Sequence, residues 1–175
     1  MRFIHLIGAM AFTALLAAPS AANAGFALGA YGLPGAQFTA AFPAPPAEKK
    51  SEATADRPAT VSYRYSNDSN LLFASVIGTQ AAPGEEAALL DKSVAALTAP
   101  PTGVPLDEKS ISEVTVDGVK GKRITGSSGK LRYVGYFFVH KGRIFVIHGV
   151  SRPPGDAVAA KASDDFVESF RLVGK

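Results

Sequence analysis

The chain contains no cysteine, which excludes a disulfide framework and every thiolate metal site and leaves a packed core as the source of stability. Histidine is nearly as scarce. Of three, His5 falls in the leader described below, so His140 and His148 are the only imidazoles beyond it, and general acid–base chemistry has little to draw on. The start of the chain offers neither a lipoprotein cysteine nor the paired arginines of a twin-arginine signal. After residue 24 no apolar stretch approaches the ~20 residues that span a bilayer. No nucleophile elbow of the Gly-x-Ser-x-Gly kind occurs anywhere.

What the first residues do contain is the layout of a secretory signal. Arg2 supplies a short positive start, Phe3 to Ala18 an apolar run, and Ala22-Asn23-Ala24 a small-residue cleavage site. The chain is expected to lose residues 1–24, begin at Gly25 and work in the periplasm or outside the cell. An uncleaved anchor is the alternative, and the apolar run is short for one. What remains, about 150 residues, is long enough to bury ~68–70% of its unfolded surface as one domain. Losing Arg2 from 18 Lys and Arg leaves 17 against 15 Asp and Glu, a formal charge of +2. Basic and acidic residues alternate, as in Glu48-Lys49-Lys50 and Asp107-Glu108-Lys109, rather than forming the stripe that nucleic acid requires. No nucleic-acid partner is expected.

Residues 25–35 are rich in Gly and Ala with little to bury, and read as a flexible lead-in to a single domain over 36–175. Gln37 to Phe42 suggests a first strand, stopped by Pro43, Pro45 and Pro46. Ala47 to Pro58, charged and broken by prolines, reads as an exposed loop. Val61, Tyr63 and Tyr65 alternate with polar residues, and Leu71 to Ile77 forms a second β-prone run, with Asn67-Asp68-Ser69-Asn70 as the turn between them. Beyond Pro83-Gly84 the period lengthens: Ala87, Leu90, Val94 and Leu97 share one helical face, with Glu85 and Glu86 at the favourable end of the helix dipole.

Val114-Thr115-Val116 then meets Val119 across Asp117-Gly118, a pair suited to a tight hairpin. Ser128-Gly129 and Lys141-Gly142 supply further reversals. Leu131 to Val139 and Ile144 to Val150 are nearly continuous in Val, Ile, Phe and Tyr, as strands covered on both faces are. A second helix opens at Asp156, its expected N-cap, with Ala159, Ala162, Phe166 and Phe170 toward one side. The reading is three strands, a helix, four strands and a helix. That order implies an α+β fold: a mostly antiparallel sheet of about six to seven strands flanked by two main helices.

Four segments carry a likeness to a known family: Phe38-Thr39-Ala40-Ala41-Phe42-Pro43, Gly118 to Arg123, His140-Lys141-Gly142-Arg143-Ile144-Phe145-Val146, and Asp165-Phe166-Val167-Glu168-Ser169-Phe170-Arg171-Leu172. On these the chain resembles exported bacterial domains related to PsbP, the extrinsic protein of the photosynthetic oxygen-evolving complex. Each segment is a packing or turn signature. The resemblance therefore implies an α/β/α sandwich and an exported, non-enzymatic scaffold, and it transfers no functional residue. A nuclear Ran-binding protein uses a related fold, so fold alone does not set the partner.

With Lys141-Gly142 as a two-residue turn, His140 faces Arg143 and His148 faces Gly135. Alternation then groups His140 with Tyr136, Phe138, Phe145 and Ile147, and His148 with Phe137, Val139, Ile144 and Val146 on the other face, so the two cannot share a metal ion. Ser151 lies three residues from His148, an odd spacing that turns it away on a strand. Gly126 to Lys130 is too short for a phosphate loop and leads into a strand. Asp164 and Asp165 read as a solvated helix face. Tyr63, Tyr65, Tyr133 and Tyr136 read as strand packing rather than a ligand pocket.

No residue is assigned a catalytic, cofactor-binding or metal role, and no cofactor is implied. The expected function is an accessory or binding domain of the envelope, without catalytic machinery, acting through protein contacts. A carrier holding a small ligand between sheet and helix is the alternative, and a hydrolase ranks third.

Overall fold

The computed structural model of the protein describes residues 29–32, 37–55, 57–79, 82, 84–98, 106–152 and 156–173. The expected leader and its cleavage site lie outside them. The first described strand, β1 (Gly29–Gly32), falls within the segment read as a lead-in and pairs antiparallel with β2 (Phe38–Phe42). Next come β3 (Ala47–Ser51), β4 (Thr60–Ser66) and β5 (Asn70–Gly78), the helix α1 (Glu86–Thr98), then β6 (Glu108–Val116), β7 (Val119–Ser128), β8 (Leu131–His140) and β9 (Arg143–Ser151). The helix α2 (Ala157–Glu168) and a short β10 (Arg171–Leu172) complete the order.

Seven strands form one antiparallel sheet in the order β3-β4-β5-β9-β8-β7-β6. It consists of two meanders joined where β5 pairs with β9. The chain leaves β5, crosses one face of the sheet as α1 and returns at the far edge as β6. Following β9, α2 covers the opposite face together with a small sheet, β1-β2-β10. The result is the expected α+β sandwich with two main helices. Two expectations fail locally. Ala47–Ser51 is not loop but an edge strand on β4, because Pro45 and Pro46 precede the ladder rather than interrupt it. The early strands also divide between two sheets, since β2 pairs with β1 and β10 and with no strand of the large sheet.

Turn chemistry sets the registers. Asp117 and Gly118 have φ of 51° and 82°, and Lys141 and Gly142 have 47° and 67°, the doubly left-handed turn whose twist suits a two-residue hairpin. The third reversal sits one residue later than expected: Ser128 pairs with Leu131, leaving Gly129 and Lys130 as the turn, with Gly129 at φ 55°. At the β4–β5 turn the Asn67 side-chain oxygen accepts from the backbone N–H of Ser69 and of Asn70 at 3.0 and 2.7 Å, the local bond that makes Asn a turn residue.

Because the sheet is covered on both faces, it has two apolar cores. On the α2 side Phe38, Phe42, Phe166 and Phe170 from the covering layer meet Phe138 and Phe145 of the sheet. Phe170 stacks on Phe138 at 5.4 Å and lies 5.6 Å from Phe38 between ring centroids. On the α1 side Leu90, Val94 and Leu97 pack on Ile124, Tyr133, Phe137 and Ile144. Asp156 caps α2 as expected, accepting from the N–H groups of Val158 and Ala159 at 3.0 Å each. The buried stripe of α2 differs slightly from the expected one: Ser163 and Val167 are buried where Ala162 is only half-buried. In α1, Ala87 is exposed and Ser93 joins the buried face.

Candidate functional site

The registers place the two histidines as alternation predicted. His140 pairs with Arg143 and His148 with Gly135, and the flanking residues of each belong to opposite cores. His140 sits half-exposed at the end of a hairpin, while His148 is only 3% exposed in the middle of the sheet's α1 side. A sheet separates them, so one ion cannot touch both.

His148 is the most unusual group in the structure. Its ring stacks on Phe73 at 4.9 Å and lies 5.4 Å from Tyr133. Its Nδ1 has no hydrogen-bond partner among the described residues, and neither has the buried hydroxyl of Tyr133. Gly135 makes this arrangement possible: a Cβ there would come within 2.8 Å of the Tyr133 hydroxyl, so only glycine lets that ring lie across the strand. Burial in an apolar setting penalises the charged imidazole and holds its pKa down at about 4. Burial also pushes the Tyr133 phenol well above its ordinary value. At neutral pH both groups are uncharged, a histidine poised as a weak base beside a phenol that stays protonated. Ser151, the one nearby hydroxyl that sequence proximity suggested, is fully buried on the other side of the sheet. It cannot reach His148.

The other candidates resolve as follows. Gly126 to Lys130 is the end of β7 and the turn into β8. Gly126 is glycine for packing, because a Cβ would sit 2.4 Å from the carbonyl oxygen of Glu108. Asp164 is not on a solvated face: both of its oxygens accept from Arg132 Nη2 at 2.9 Å, and each side chain is 28% exposed. Asp165 instead pairs with Lys161 across one helical turn, at 2.6 Å. With different cationic partners, the two acids form no dyad, and among the described residues no three His, Asp or Glu side chains gather as a metal site would require. Tyr63 and Tyr136 belong to the α2-side core with Tyr65 packed against it, and Tyr133 to the α1-side core. The Tyr63 hydroxyl donates to Glu48 at 3.1 Å, and burial together with that bond pushes its pKa up to about 12.

Sequence reasoning missed a polar seam under α2. Asn70 Nδ2 donates to the Ala159 carbonyl at 2.7 Å and to Ser163 Oγ at 2.9 Å, pinning the helix to the sheet. Gly149 lies beneath the same point, where a Cβ would approach Ser163 Cβ to 2.7 Å. It also missed the length of β6. Expected only at Val114 to Val116, this strand runs nine residues along the sheet's edge and is exposed at every position from Glu108 to Glu113. 

No described strand pairs with the outer side of β6. The opposite edge, β3, is shorter at five residues, follows Pro45-Pro46 and holds a Glu48–Lys50 pair at 3.1 Å. Prolines, charges and shortness blunt an edge, and of these β6 carries only the charges. A seam residue or an edge strand has no motif; alternation of Ile111, Glu113 and Thr115 with serines and valine was the one available signal.

No protein-family model matches the chain, and no curated protein sequence matches it. Among solved structures, the chain is similar to the solution structure of cyanobacterial PsbP (CyanoP) from Synechocystis sp. PCC 6803. The match has 10% sequence identity and a TM-score of 0.52, and covers 90% of this chain and 98% of that one. At that identity the likeness concerns architecture, and the architecture of this chain is PsbP-like.

Proposed function

We propose that the chain is an exported accessory domain that acts through protein contacts in the cell envelope after losing residues 1–24. The observation that carries this reading is the β6 edge, a nine-residue strand at the end of the large sheet. Among the described residues no strand pairs with its outer backbone groups, and Ile111 is 45% exposed. An added strand can satisfy such an edge through main-chain bonds, with alternate side chains providing selectivity. The separation of polar chemistry supports the same reading, since His148 lies on the α1 face of the sheet while Ser151, opposite Arg132, and the Asp164–Arg132 pair lie on the α2 face. A second reading, a small-ligand carrier, is favoured by one observation, the unpartnered and buried His148 Nδ1 and Tyr133 hydroxyl.

A photo-crosslinking residue placed at position 111 in cells, with position 158 on the exposed side of α2 as the control, tests the first reading. Protein adducts from 111 and not from 158 are expected. Absence of adducts at 111, with a small molecule released on denaturing the purified protein, would reverse the two readings. Intact-mass measurement of the envelope-fraction protein tests removal of residues 1–24; a chain still beginning at Met1 would refute it.

A further inference from the structure

We infer that the occupant of the β6 edge is a second copy of this chain, paired antiparallel about a two-fold axis through Ile111. The inference rests on the contact reading above and names its partner. A two-fold axis perpendicular to a sheet sets one residue opposite its own symmetry mate and keeps each side chain on its original face. Every possible register can therefore be inspected in turn.

With Ile111 on the axis, Lys109 of each copy faces Glu113 of the other, and this happens twice. Ile111 meets Ile111 between the two ion pairs, and Ser110 faces Ser112 on the reverse side. Lys109, Ile111 and Glu113 share the α1 side of the sheet, since Ile111 is opposite Ile124 and Ile124 belongs to the α1-side core. Opposite charges and apolar pairs directly across strands are stabilising, and like charges there are destabilising. Moving the axis to Ser112 sets Ile111 against Glu113 and Lys109 against Thr115. Moving it to Glu113 sets the two carboxylates against each other. Moving it to Ser110 sets Lys109 against Ile111. Only the axis at Ile111 matches every charge within the paired stretch from Lys109 to Glu113.

The groups concerned are available for this. Glu113 is 82% exposed in its side chain, and its contact with Lys122 is long, at 3.9 Å. Lys109 donates to the Thr98 hydroxyl at 3.4 Å and forms no ion pair among the described residues. Charges on an edge strand ordinarily discourage pairing; here the same charges permit one pairing and oppose its neighbours. The other edge lacks this property. With Lys49 on the axis, β3 would bring two lysines face to face, and a register centred on Glu48 or Lys50 also opposes like charges.

Because the chain has no cysteine, a single introduced thiol can be oxidised only against another copy. Ile111→Cys and Ser112→Cys are compared, each checked for the wild-type fold by circular dichroism. With Ile111 on the axis, I111C should form a disulfide-linked dimer at least about tenfold faster than S112C, whose symmetry mate lies across the diagonal. Sedimentation of the wild-type chain should show a concentration-dependent monomer–dimer equilibrium. Lys109→Glu alone and Glu113→Lys alone should each weaken it about tenfold, and the two together should restore it to within about threefold. Equal oxidation of I111C and S112C, or single swaps without effect, would overturn the register. A wild-type chain that remains monomeric while the crosslinker at 111 captures another protein would overturn self-pairing and leave the contact reading intact. A monomer with no adduct at 111 would overturn both.

Discussion

Protonating His148 in the folded protein puts a cation into an apolar layer between Phe73 and Tyr133, and this makes acid stability a direct measure of how that layer is built. The imidazole titrates at about 4 when folded against an ordinary value of 6.5, with burial as the cause. Between these values the unfolded chain holds the proton and the folded chain does not. The unfolded state therefore binds more protons, and stability rises with pH through the window. The full contribution is present above 6.5 and is lost progressively as pH falls toward 4. One pKa unit corresponds to about 1.4 kcal/mol, so the interval amounts to about 3 kcal/mol, a large share of the 5–15 kcal/mol that ordinarily holds a domain together. Carboxylates titrate in the same range, and a difference measurement removes them. His148→Phe preserves an aromatic ring against Phe73 and has no titrating group. Urea unfolding of both proteins from pH 7.5 to pH 4 should show the wild type losing about 3 kcal/mol more than the variant. The NMR titration of the His148 ring should fall near 4. Equal acid losses in the two proteins, or an imidazole titrating at 6 or above, would show that the ring is hydrated and the reasoning wrong.

Other perturbations address the opposite face of the sheet, beneath α2. Gly149→Ala forces a methyl group against Ser163 backbone and side chain, and should destabilise by about 1–3 kcal/mol, read as a fall in thermal midpoint by circular dichroism; an unchanged midpoint would mean that α2 can lift without loss. Phe170→Ala removes a fully buried ring from between Phe38, Phe138 and Phe145 and should cost about 3–5 kcal/mol in urea unfolding. For Arg132 and Asp164, a double-mutant cycle with Arg132→Met and Asp164→Asn should give a coupling of about 1 kcal/mol, held to the upper end of the surface range because the pair is partly exposed but doubly bonded. A coupling near zero would place Asp164 back on the solvated face that the sequence suggested.

The large sheet was legible because its information is local. Asp117-Gly118 and Lys141-Gly142 fix two hairpins through backbone torsion alone, and once the second is fixed, alternation settles which residues share a face with His148. Features that depend on two distant segments were not legible. Asn70 reads as a turn residue, and its role in holding α2 becomes visible only when Ala159 and Ser163 are brought above it. Asp164 carries nothing in its neighbours that distinguishes it from Asp165; Arg132, on another strand, decides the difference. The Ala47–Ser51 strand was hidden because its composition is that of a loop, and an edge position tolerates that composition.

The same distinction bears on why no motif marks this chain's activity. A catalytic site concentrates side-chain chemistry at one point, and spacing rules can detect it. Edge recognition distributes affinity over main-chain N–H and C=O groups, which every residue except proline possesses, and leaves side chains only the choice of register. In β6 that choice falls to three residues, Lys109, Ile111 and Glu113, whose order is symmetric in position and opposite in charge. A chain that worked this way would show scattered and mutually neutralised polar groups elsewhere, as Asp164 with Arg132 and Asp165 with Lys161 do. Its specificity would reside in a short alternating strand. Reversing both charges of β6 together should then restore the pairing to within about threefold, while reversing either alone should weaken it about tenfold, a pattern that a general loss of solubility or stability could not produce.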